Sequence, residues 1–333
     1  MKIISVYPYF FNKGGAQDMA ISIAKGIVTS EKPIILLLDK KINESYLNSG
    51  IEFKKLNLKI IKEYHKNGYA FLSHHRKTTT FLQIISKLFF LNRLNVVHVA
   101  HNTFTSLKYF TLFPKNNIAV SNTVKDNMKQ YFGLKDQNIE VIYNGIVDKY
   151  QSGAYIPKKS KNTIDILFLG RINPVKRQVD FVKATKGNLA DNIKIYFAGL
   201  GVDYDLLGKT IGNDCHYEML GLVDPYTELY KYDYVCLYSE KEGLPLSLIE
   251  AQMFYKPLLT NDIPQCLEIN SNNFCGFVDH SWTEIIERIN SLPFPDSDQY
   301  KTLSKNSRLI YEDKFKYESM IKKYSEFFSR IFQ

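Results

Sequence analysis

Residues 234–251, YVCLYSEKEGLPLSLIEA, run from a predicted buried strand through a glycine-containing loop into a predicted helix. The amino end of a helix offers unpaired N–H groups and a partial positive charge, and it therefore favours a phosphate. Gly243 allows the backbone to approach such a group closely. Glu242 in the loop and Glu250 inside the helix could accept hydrogen bonds from hydroxyls at separate points of one elongated ligand. Acids that only complement the helix dipole are the alternative interpretation.

A cationic segment follows another predicted strand. It reads FLGRINPVKR over residues 168–177, and it brings Gly170, Arg171 and Lys176 to the carboxyl end of that strand, the edge where ligands bind in α/β sheets. Two cations at this edge could hold a diphosphate and offset the charge that develops on it as a sugar bond breaks. Solvated cations at the mouth of a loop are the alternative. A glycine turn, AGLG at 198–201, follows a third strand and is a weak signal by itself.

Short apolar runs alternate with segments of helical period in both halves of the chain, which predicts two α/β domains with parallel sheets. The predicted strands are 2–6, 34–38, 69–73, 96–99, 118–121 and 141–143 in the first half, and 164–169, 194–198, 234–238 and 257–260 in the second. The predicted domains are 1–150 and 163–310, joined by a polar linker at 151–162. The amphipathic, aromatic tail 311–333 is predicted to be a helix that packs back on the first domain.

The charge of the chain is concentrated in its first half. The whole chain of 333 residues carries a net charge of +9, yet residues 1–150 hold 21 Lys and Arg against 10 Asp and Glu, and the remainder holds 22 against 24. A basic surface of this kind could attract nucleic acid, anionic lipid or a diphosphate-bearing substrate. A solvated surface without a ligand is the alternative.

Composition argues against several classes of protein. The four cysteines form no CxxC pair, so neither a zinc site nor a disulfide framework is predicted, and sparse thiols suit a reducing cytosol. The longest apolar stretch, 81–100, contains Lys87 and Arg93, so no transmembrane helix is predicted. The start, MKIISVYPYF, has no cleavage signal and is interpreted as the first buried strand.

Taken in order, these segments resemble the retaining glycosyltransferases of family 4, which have the GT-B architecture of two Rossmann-like domains facing a central cleft. The resemblance covers nearly the whole chain. Besides FLGRINPVKR, it rests on Gly14-Gly15-Ala16, His101-Asn102, the segment 118–128, VIYNGI at 141–146, YFAGLG at 196–201, the segment 219–251 and KPLLTNDIPQCLEI at 256–269. Two glycines of the usual pattern are replaced, one by Arg177 after Lys176 and one by Tyr255 before Lys256. These departures put the loop geometry and donor selectivity in doubt.

The resemblance implies roles for individual residues. Arg171 and Lys176 would grip the donor diphosphate, Glu242 would touch the transferred sugar, and Glu250 would bind the ribose. His101, which follows a predicted strand, would orient the reacting sugar. Backbone groups would complete the site: Gly14 and Gly15 beside the sugar and phosphates, Leu222 and Val223 at the base, and Gly170, Gly243, Leu244, Pro245 and Leu246 along the donor.

No metal or other cofactor is expected. Asp203-Tyr204-Asp205 imitates the DxD metal motif of another glycosyltransferase fold, but these acids lie at a predicted helix start, where acids are ordinary. The positive charge of Arg171 and Lys176 would take the place of a metal ion.

The predicted function is retaining transfer of a hexose or N-acetylhexosamine from a nucleotide sugar, with UDP favoured, to a sugar hydroxyl. The acceptor is predicted to be a polyprenyl-diphosphate-linked oligosaccharide of bacterial surface polysaccharide assembly. The protein would then be cytoplasmic and peripheral, held at an anionic membrane by its basic first domain. A nucleotide-sugar epimerase or a phosphorylase on the same fold is an alternative enzyme. A non-enzymatic nucleic-acid-binding protein is the alternative of another class, although no nucleic-acid module is recognisable.

Overall fold

A computed structural model describes residues 2–11, 13–28, 32–39, 41–151 and 162–332 of the chain. The chain packs as two compact units, Met1–Asn144 with Tyr317–Gln333, and Gly145–Lys316. Residues 145–150 and 311–316 therefore belong to the second unit, although the sequence assigned them to the first domain and the tail. Most of the predicted linker, 152–161, lies outside the described residues.

The first unit is built on a seven-stranded sheet in the order β3-β2-β1-β4-β5-β6-β7, and each neighbouring pair is parallel. Val6, Leu36 and Val97 on the interior strands are fully buried, as expected for a sheet covered on both faces. The elements are β1 (Lys2–Tyr7), α1 (Gly15–Ile27), β2 (Ile34–Leu37), β3 (Glu52–Lys55), α2 (Leu58–Lys66), β4 (Tyr69–Ser73), α3 (Arg76–Phe89), β5 (Val96–Ala100), β6 (Asn116–Ala119), α4 (Asn122–Gln130) and β7 (Ile139–Val141).

The second unit repeats this plan with a six-stranded parallel sheet in the order β10-β9-β8-β11-β12-β13. In both sheets the chain starts at a central strand and runs first to one edge and then to the other, which is the doubly wound Rossmann order. The elements are β8 (Ile164–Leu169), α5 (Gln178–Thr185), β9 (Ile193–Ala198), α6 (Tyr204–Ile211), β10 (Tyr217–Gly221), α7 (Pro225–Glu228), β11 (Tyr234–Leu237), α8 (Leu246–Met253), β12 (Leu258–Asn261), α9 (Pro264–Asn270), β13 (Gly276–Asp279), α10 (Trp282–Asn290) and α11 (Asp298–Lys314).

The last helix, α12 (Tyr317–Ile331), belongs to the first unit and packs on α1. Its apolar face buries Met320, Tyr324, Phe327 and Phe328. The Tyr317 hydroxyl donates a 3.1 Å hydrogen bond to the Ser22 carbonyl of α1. Gly26 of α1 is needed for this approach, because a Cβ atom there would overlap the Ile321 side chain. The two helices thus touch closely through a position without a side chain.

Candidate functional site

The chain reverses direction at β8 in the second sheet, because β8 pairs with β9 on one side and with β11 on the other. Ligands of doubly wound sheets bind at the carboxyl ends of the strands beside this reversal. The loops that follow β8 and β11, residues 170–177 and 238–245, contain most of the residues that the sequence proposed for donor binding. A backbone hydrogen bond of 2.8 Å from the Glu240 N–H to the Val175 carbonyl joins the two loops.

Lys176 and Glu242 meet at this edge. The ammonium Nζ lies 2.6 Å from the carboxylate Oε1, and the side chains are 18% and 12% exposed. The Lys176 backbone is fixed in a short 3-10 turn, Pro174–Lys176, and the capping residue Asn173 accepts the Lys176 N–H at 3.0 Å through its side chain. The pair is therefore half-buried and held by both loops.

Arg171 lies in the segment that follows β8, and Glu250 lies in the segment that follows β11. Arg171 is exposed just after β8, and its carbonyl accepts a 3.0 Å hydrogen bond from the Gln178 side chain, which is itself buried. Glu250 is half-buried on α8, a helix that begins at Leu246 behind Pro245 without a side-chain cap. The amino end of α8 is thus built from backbone groups alone, an arrangement suited to an anion.

Two glycines bring the loop after β9 against the loop after β8. A Cβ at Gly199 would overlap the Gly170 carbonyl, and a Cβ at Gly201 would overlap the Ile172 carbonyl. The Gly170 N–H donates to Ala198 at 2.9 Å, which locks the approach. The glycine turn at 198–201, a weak signal in the sequence, therefore lets the loop after β9 pack directly against the loop that contains Arg171.

The loop after β10 contacts the loop after β9 in turn. The Gly199 N–H donates a 2.7 Å hydrogen bond to the Gly221 carbonyl. Gly221 has a φ of 67°, in the left-handed region, and turns the chain into Leu222 and Val223. Leu222 is 72% exposed and Val223 is half-buried. An exposed leucine beside such a turn offers an apolar surface for a flat ring.

The two departures from the glycine pattern keep a glycine-like backbone. Arg177 has a φ of 57° and Tyr255 a φ of 60°, both in the left-handed region that non-glycine residues enter at a cost of roughly 1–2 kcal/mol. The Arg177 guanidinium lies 4.7 Å from the centre of the Trp282 ring. Tyr255 packs its ring 4.9 Å from that of Tyr150. Both positions thus have a backbone that suits glycine, and each side chain makes a contact that glycine could not make.

A row of histidines lies at the carboxyl edge of the first sheet. His101 follows β5 and His74 follows β4, and their Nε2 and Nδ1 atoms are 3.1 Å apart. His74 Nε2 lies 3.4 Å from the Ser5 hydroxyl of β1, whereas His101 Nδ1 is buried without a partner among the described residues. A chain of hydrogen-bond contacts therefore leads from Ser5 of β1 through His74 to His101.

Burial keeps these histidines neutral. Desolvation lowers the pKa of His101 to about 4, with His75 adding to the effect, and lowers that of His98 to about 3, with His101 adding to it. The pKa of His74 falls well below its usual range for the same reason. Burial also lowers the pKa of His75 to about 4, helped by Lys77 and Arg76. The cluster can therefore orient or share a proton at neutral pH without carrying charge.

Gly14 and Gly15 form the amino end of α1. Gly14 is extended and caps the helix, which begins at Gly15. Its N–H donates a 3.2 Å hydrogen bond to the Tyr46 hydroxyl, which donates in turn to the Asp18 carboxylate at 2.9 Å. Burial raises the pKa of Asp18, while Tyr46 and Lys13 oppose the rise. This network fixes the start of α1 at the edge where β1 ends.

The DxD-like acids lie where the sequence suggested, at the start of a helix. Asp203 precedes α6 without a side-chain cap bond, and Asp205 is in its first turn. Within the described residues, Asp214, Cys215 and His216 are the group whose spacing could suit a metal ion, and they lie on a surface turn before β10. No helix in the described part of the chain combines the length and apolar character needed to cross a bilayer.

Two Rossmann-type sheets, each with polar residues at its carboxyl edge, define a protein of the GT-B fold. Residues 155–310 match the family model for glycosyl transferases group 1, and residues 45–149 match that for glycosyltransferase family 4. The chain therefore belongs to the GT-B glycosyltransferases that these two models describe.

Curated relatives agree with this assignment over part of their length. The Escherichia coli O-antigen biosynthesis glycosyltransferase WbnH is 25% identical over 168 residues, which is 50% of this chain and 47% of the relative. The chain thus matches about half the length of that relative.

Solved structures match over the full length. Anabaena HepE (Alr3699) in complex with UDP has 19% identity, a TM-score of 0.85, and coverage of 99% of this chain and 100% of its own. A glycosyltransferase from Rickettsia africae has 18% identity, a TM-score of 0.84, and coverage of 100% and 98%. The lipopolysaccharide galactosyltransferase WaaB in its apo form has 14% identity, a TM-score of 0.78, and coverage of 99% and 100%. At these identities the likeness shows the fold.

Proposed function

We propose that this protein transfers a hexose or N-acetylhexosamine from a nucleotide sugar to a hydroxyl of a glycan acceptor, with retention of the anomeric configuration. The observation that carries the proposal is the contact between Lys176 and Glu242 at the reversal of the second sheet. A cation and an acid held side by side there match a diphosphate and a hydroxyl of the sugar attached to it. UDP is the preferred carrier, because HepE was solved with UDP and with UDP-glucose, and TarM with UDP.

In the proposed reaction, Arg171 and Lys176 hold the diphosphate and stabilise the charge that grows on it as the glycosidic bond breaks. Glu242 accepts a hydroxyl of the transferred sugar, and Glu250 accepts those of the ribose. The acceptor hydroxyl attacks from the face of the leaving group, and the departing phosphate takes its proton. The protein then contributes positioning and electrostatic stabilisation, without a carboxylate nucleophile or a metal ion.

The acceptor is proposed to be a lipid-linked sugar of surface polysaccharide assembly, and the protein is proposed to work at the cytoplasmic face of an anionic membrane. The O-antigen assignment of WbnH and the lipopolysaccharide substrate of WaaB support this class of acceptor. The basic first half of the chain supports the location.

Donor binding and transfer test the proposal directly. UDP-, GDP- and ADP-sugars are compared by thermal shift, and the anomeric configuration of the product is determined by NMR. Arg171→Ala and Lys176→Ala are each expected to lower turnover on the order of 100-fold, the loss typical of one preorganised charge contact. Lys183→Ala, which removes an exposed lysine of α5, is the matched control. Wild-type rates in both site variants would disprove the assigned roles.

The alternatives give different products. An epimerase converts the nucleotide sugar without an acceptor, and a phosphorylase needs inorganic phosphate and a glycan. Activity that disappears in EDTA and returns with a divalent ion would exclude the metal-free mechanism. Salt-dependent binding to DNA or RNA without any donor binding would support the non-enzymatic alternative.

A further inference from the structure

One stretch of the first unit lacks acidic residues altogether. From residue 64 to residue 125 there is no Asp or Glu, while eight Lys and Arg are present. Asp126 follows this stretch directly, and the next acid, Asp136, is paired with Lys125 and Lys129 at 3.2 and 2.9 Å. The segment therefore presents positive charge with little internal compensation.

The same stretch exposes large apolar side chains. It holds eight of the 19 exposed large hydrophobic residues of the described chain, in less than a fifth of its length. Four belong to α3 and the turn after it, namely Ile84, Leu88, Phe89 and Leu91, and four to the loop after β5, namely Leu107, Tyr109, Phe110 and Leu112. Tyr109 is 89% and Phe110 is 78% exposed. Apolar surface on this scale needs a partner.

The helix and the loop form one surface. The Arg76 guanidinium donates a 2.6 Å hydrogen bond to the Ser106 carbonyl and stacks 3.9 Å from the Phe104 ring. The Leu112 N–H donates to the Thr80 hydroxyl at 3.1 Å. Thr80 lies one turn before Ile84 on the same face of α3, so the exposed side chains of the loop continue those of the helix. We call these exposed residues of α3, its following turn and segment 105–112 the α3–loop surface.

We propose that the α3–loop surface docks on an anionic lipid bilayer, with its apolar side chains among the acyl chains and with Lys87 and Lys108 among the headgroups. Charge complementarity selects this occupant, because cations beside exposed Leu, Ile and Phe are the composition of interfacial membrane segments. Nucleic acid would use the cations and the aromatic rings but would leave Ile84 and Leu88 in water. This proposal rests on the proposed function, because a lipid-linked acceptor would be the reason for the protein to bind a membrane.

Vesicle sedimentation tests the docking. The wild-type protein is expected to sediment with phosphatidylcholine vesicles that contain phosphatidylglycerol, and to be released by salt. The triple variant L88S/Y109S/F110S is expected to lose on the order of 100-fold in vesicle affinity, because three exposed apolar side chains no longer enter the bilayer. The double variant Lys87→Glu with Lys108→Glu is expected to lose at least roughly tenfold at low salt.

The matched control changes the same residue types on the second unit. Phe294→Ser with Leu309→Ser removes exposed apolar chains, and Lys183→Glu with Lys209→Glu reverses exposed charges. Both controls are expected to bind vesicles like the wild type. Should the triple variant prove unstable in thermal unfolding, the charge variant and the salt titration of the wild type decide the matter.

Several results would overturn the docking. Equal binding of the surface and control variants would do so, as would equal binding to vesicles without phosphatidylglycerol. Binding to single-stranded DNA that the triple variant and the charge variant both lose, without vesicle binding by the wild type, would assign the surface to nucleic acid. A wild-type dimer in light scattering that the triple variant breaks, without vesicle binding, would assign it to a second copy. Thermal shift with UDP separates the two proposals, since donor binding without vesicle binding refutes only the docking, and the reverse result refutes only the enzyme.

Discussion

Acidification should destabilise the first unit more than the second. His98 and His101 have folded pKa values of about 3 and about 4, below the ordinary histidine value of about 6.5. Because the pKa is lower in the folded chain, there is a pH range between the two values in which the unfolded histidine is protonated and the folded histidine is not. The stabilisation is therefore complete above about pH 6.5 and is lost as the pH falls from there towards 4.

The magnitude follows from proton linkage. At about pH 5, protonation stabilises an unfolded imidazole by roughly 2 kcal/mol, whereas a folded histidine with a pKa at or below 4 gains almost nothing. His98 and His101 together should then cost the first unit roughly 4 kcal/mol between about pH 7.5 and 5. That is a large share of the about 5–15 kcal/mol by which domains are stable. Asp18 works in the opposite direction, because burial raises its pKa.

The second unit should respond with the opposite sign. Burial raises the pKa of Asp279 to about 6, against the opposing effect of Arg288. Its folded carboxyl takes up a proton between about pH 7 and 5 that the unfolded carboxyl does not, which adds stability on the order of 1 kcal/mol. The pKa of His280 is also raised, chiefly by its hydrogen bond to Asp262, so the stability that it contributes is present at low pH and lost as the pH rises.

The single tryptophan, Trp282, lies in the second unit and allows the two responses to be separated. Urea unfolding at pH 7.5 and 5 is followed by tryptophan fluorescence and by far-UV circular dichroism. At pH 5 the dichroism should show an early transition that the fluorescence lacks. His101→Asn should recover roughly 2 kcal/mol of the pH-dependent loss, whereas His65→Asn, outside the cluster, should not. Transitions that move together with pH, or an unchanged loss in His101→Asn, would refute this reasoning.

Three further predictions concern backbone geometry, and denaturant unfolding checks each of them. Gly26→Ala should destabilise the first unit by roughly 1–3 kcal/mol, since the new Cβ overlaps Ile321, and a wild-type midpoint would exclude close packing of α12. Gly199→Ala should destabilise the second unit by a similar amount, roughly 1–3 kcal/mol, and weaken donor binding in thermal shift, because its Cβ meets the Gly170 carbonyl. Arg177→Gly should be about 1 kcal/mol more stable than Arg177→Ala, and the reverse order would contradict the left-handed backbone at this position.

The interior strands of both sheets could be predicted from the sequence, whereas most of the edge strands could not. Interior strands such as Ile164–Leu169 are buried on both faces and therefore form continuous apolar runs. Three of the four edge strands, Glu52–Lys55, Tyr217–Gly221 and Gly276–Asp279, are missing from the sequence prediction, and the fourth, Ile139–Val141, overlaps the predicted strand 141–143 at one residue only. An edge strand has one open side and tolerates charge, as Glu52 and its neighbours show, so the apolar signal fades. The tail 311–333 was predicted as one helix. It contains the end of α11 and the whole of α12, because the chain turns between Lys314 and Tyr317.

The proximity of Lys176 and Glu242 was accessible from sequence because both residues follow parallel strands, whose carboxyl ends share one edge. Their roles in catalysis stay predictions. The contact between His74 and His101 was not accessible, since it joins two loops 27 residues apart whose side-chain directions no periodicity gives. The order of strands β1, β4 and β5 in the sheet brings these loops together. A histidine directly after each of two predicted neighbouring strands was the available signal.

The replaced glycines show why a pattern of residues and a pattern of conformations carry different information. At Arg177 and Tyr255 the family resemblance expects glycine, and the departure put the loop geometry in doubt. Both residues adopt the left-handed backbone that glycine adopts at least cost. The cost of roughly 1–2 kcal/mol at each position is offset by ring contacts, including the Arg308 guanidinium 5.4 Å from the Tyr255 ring centre. At these two positions the backbone is therefore in a region that glycine also adopts, and the side chain is what the replacement adds.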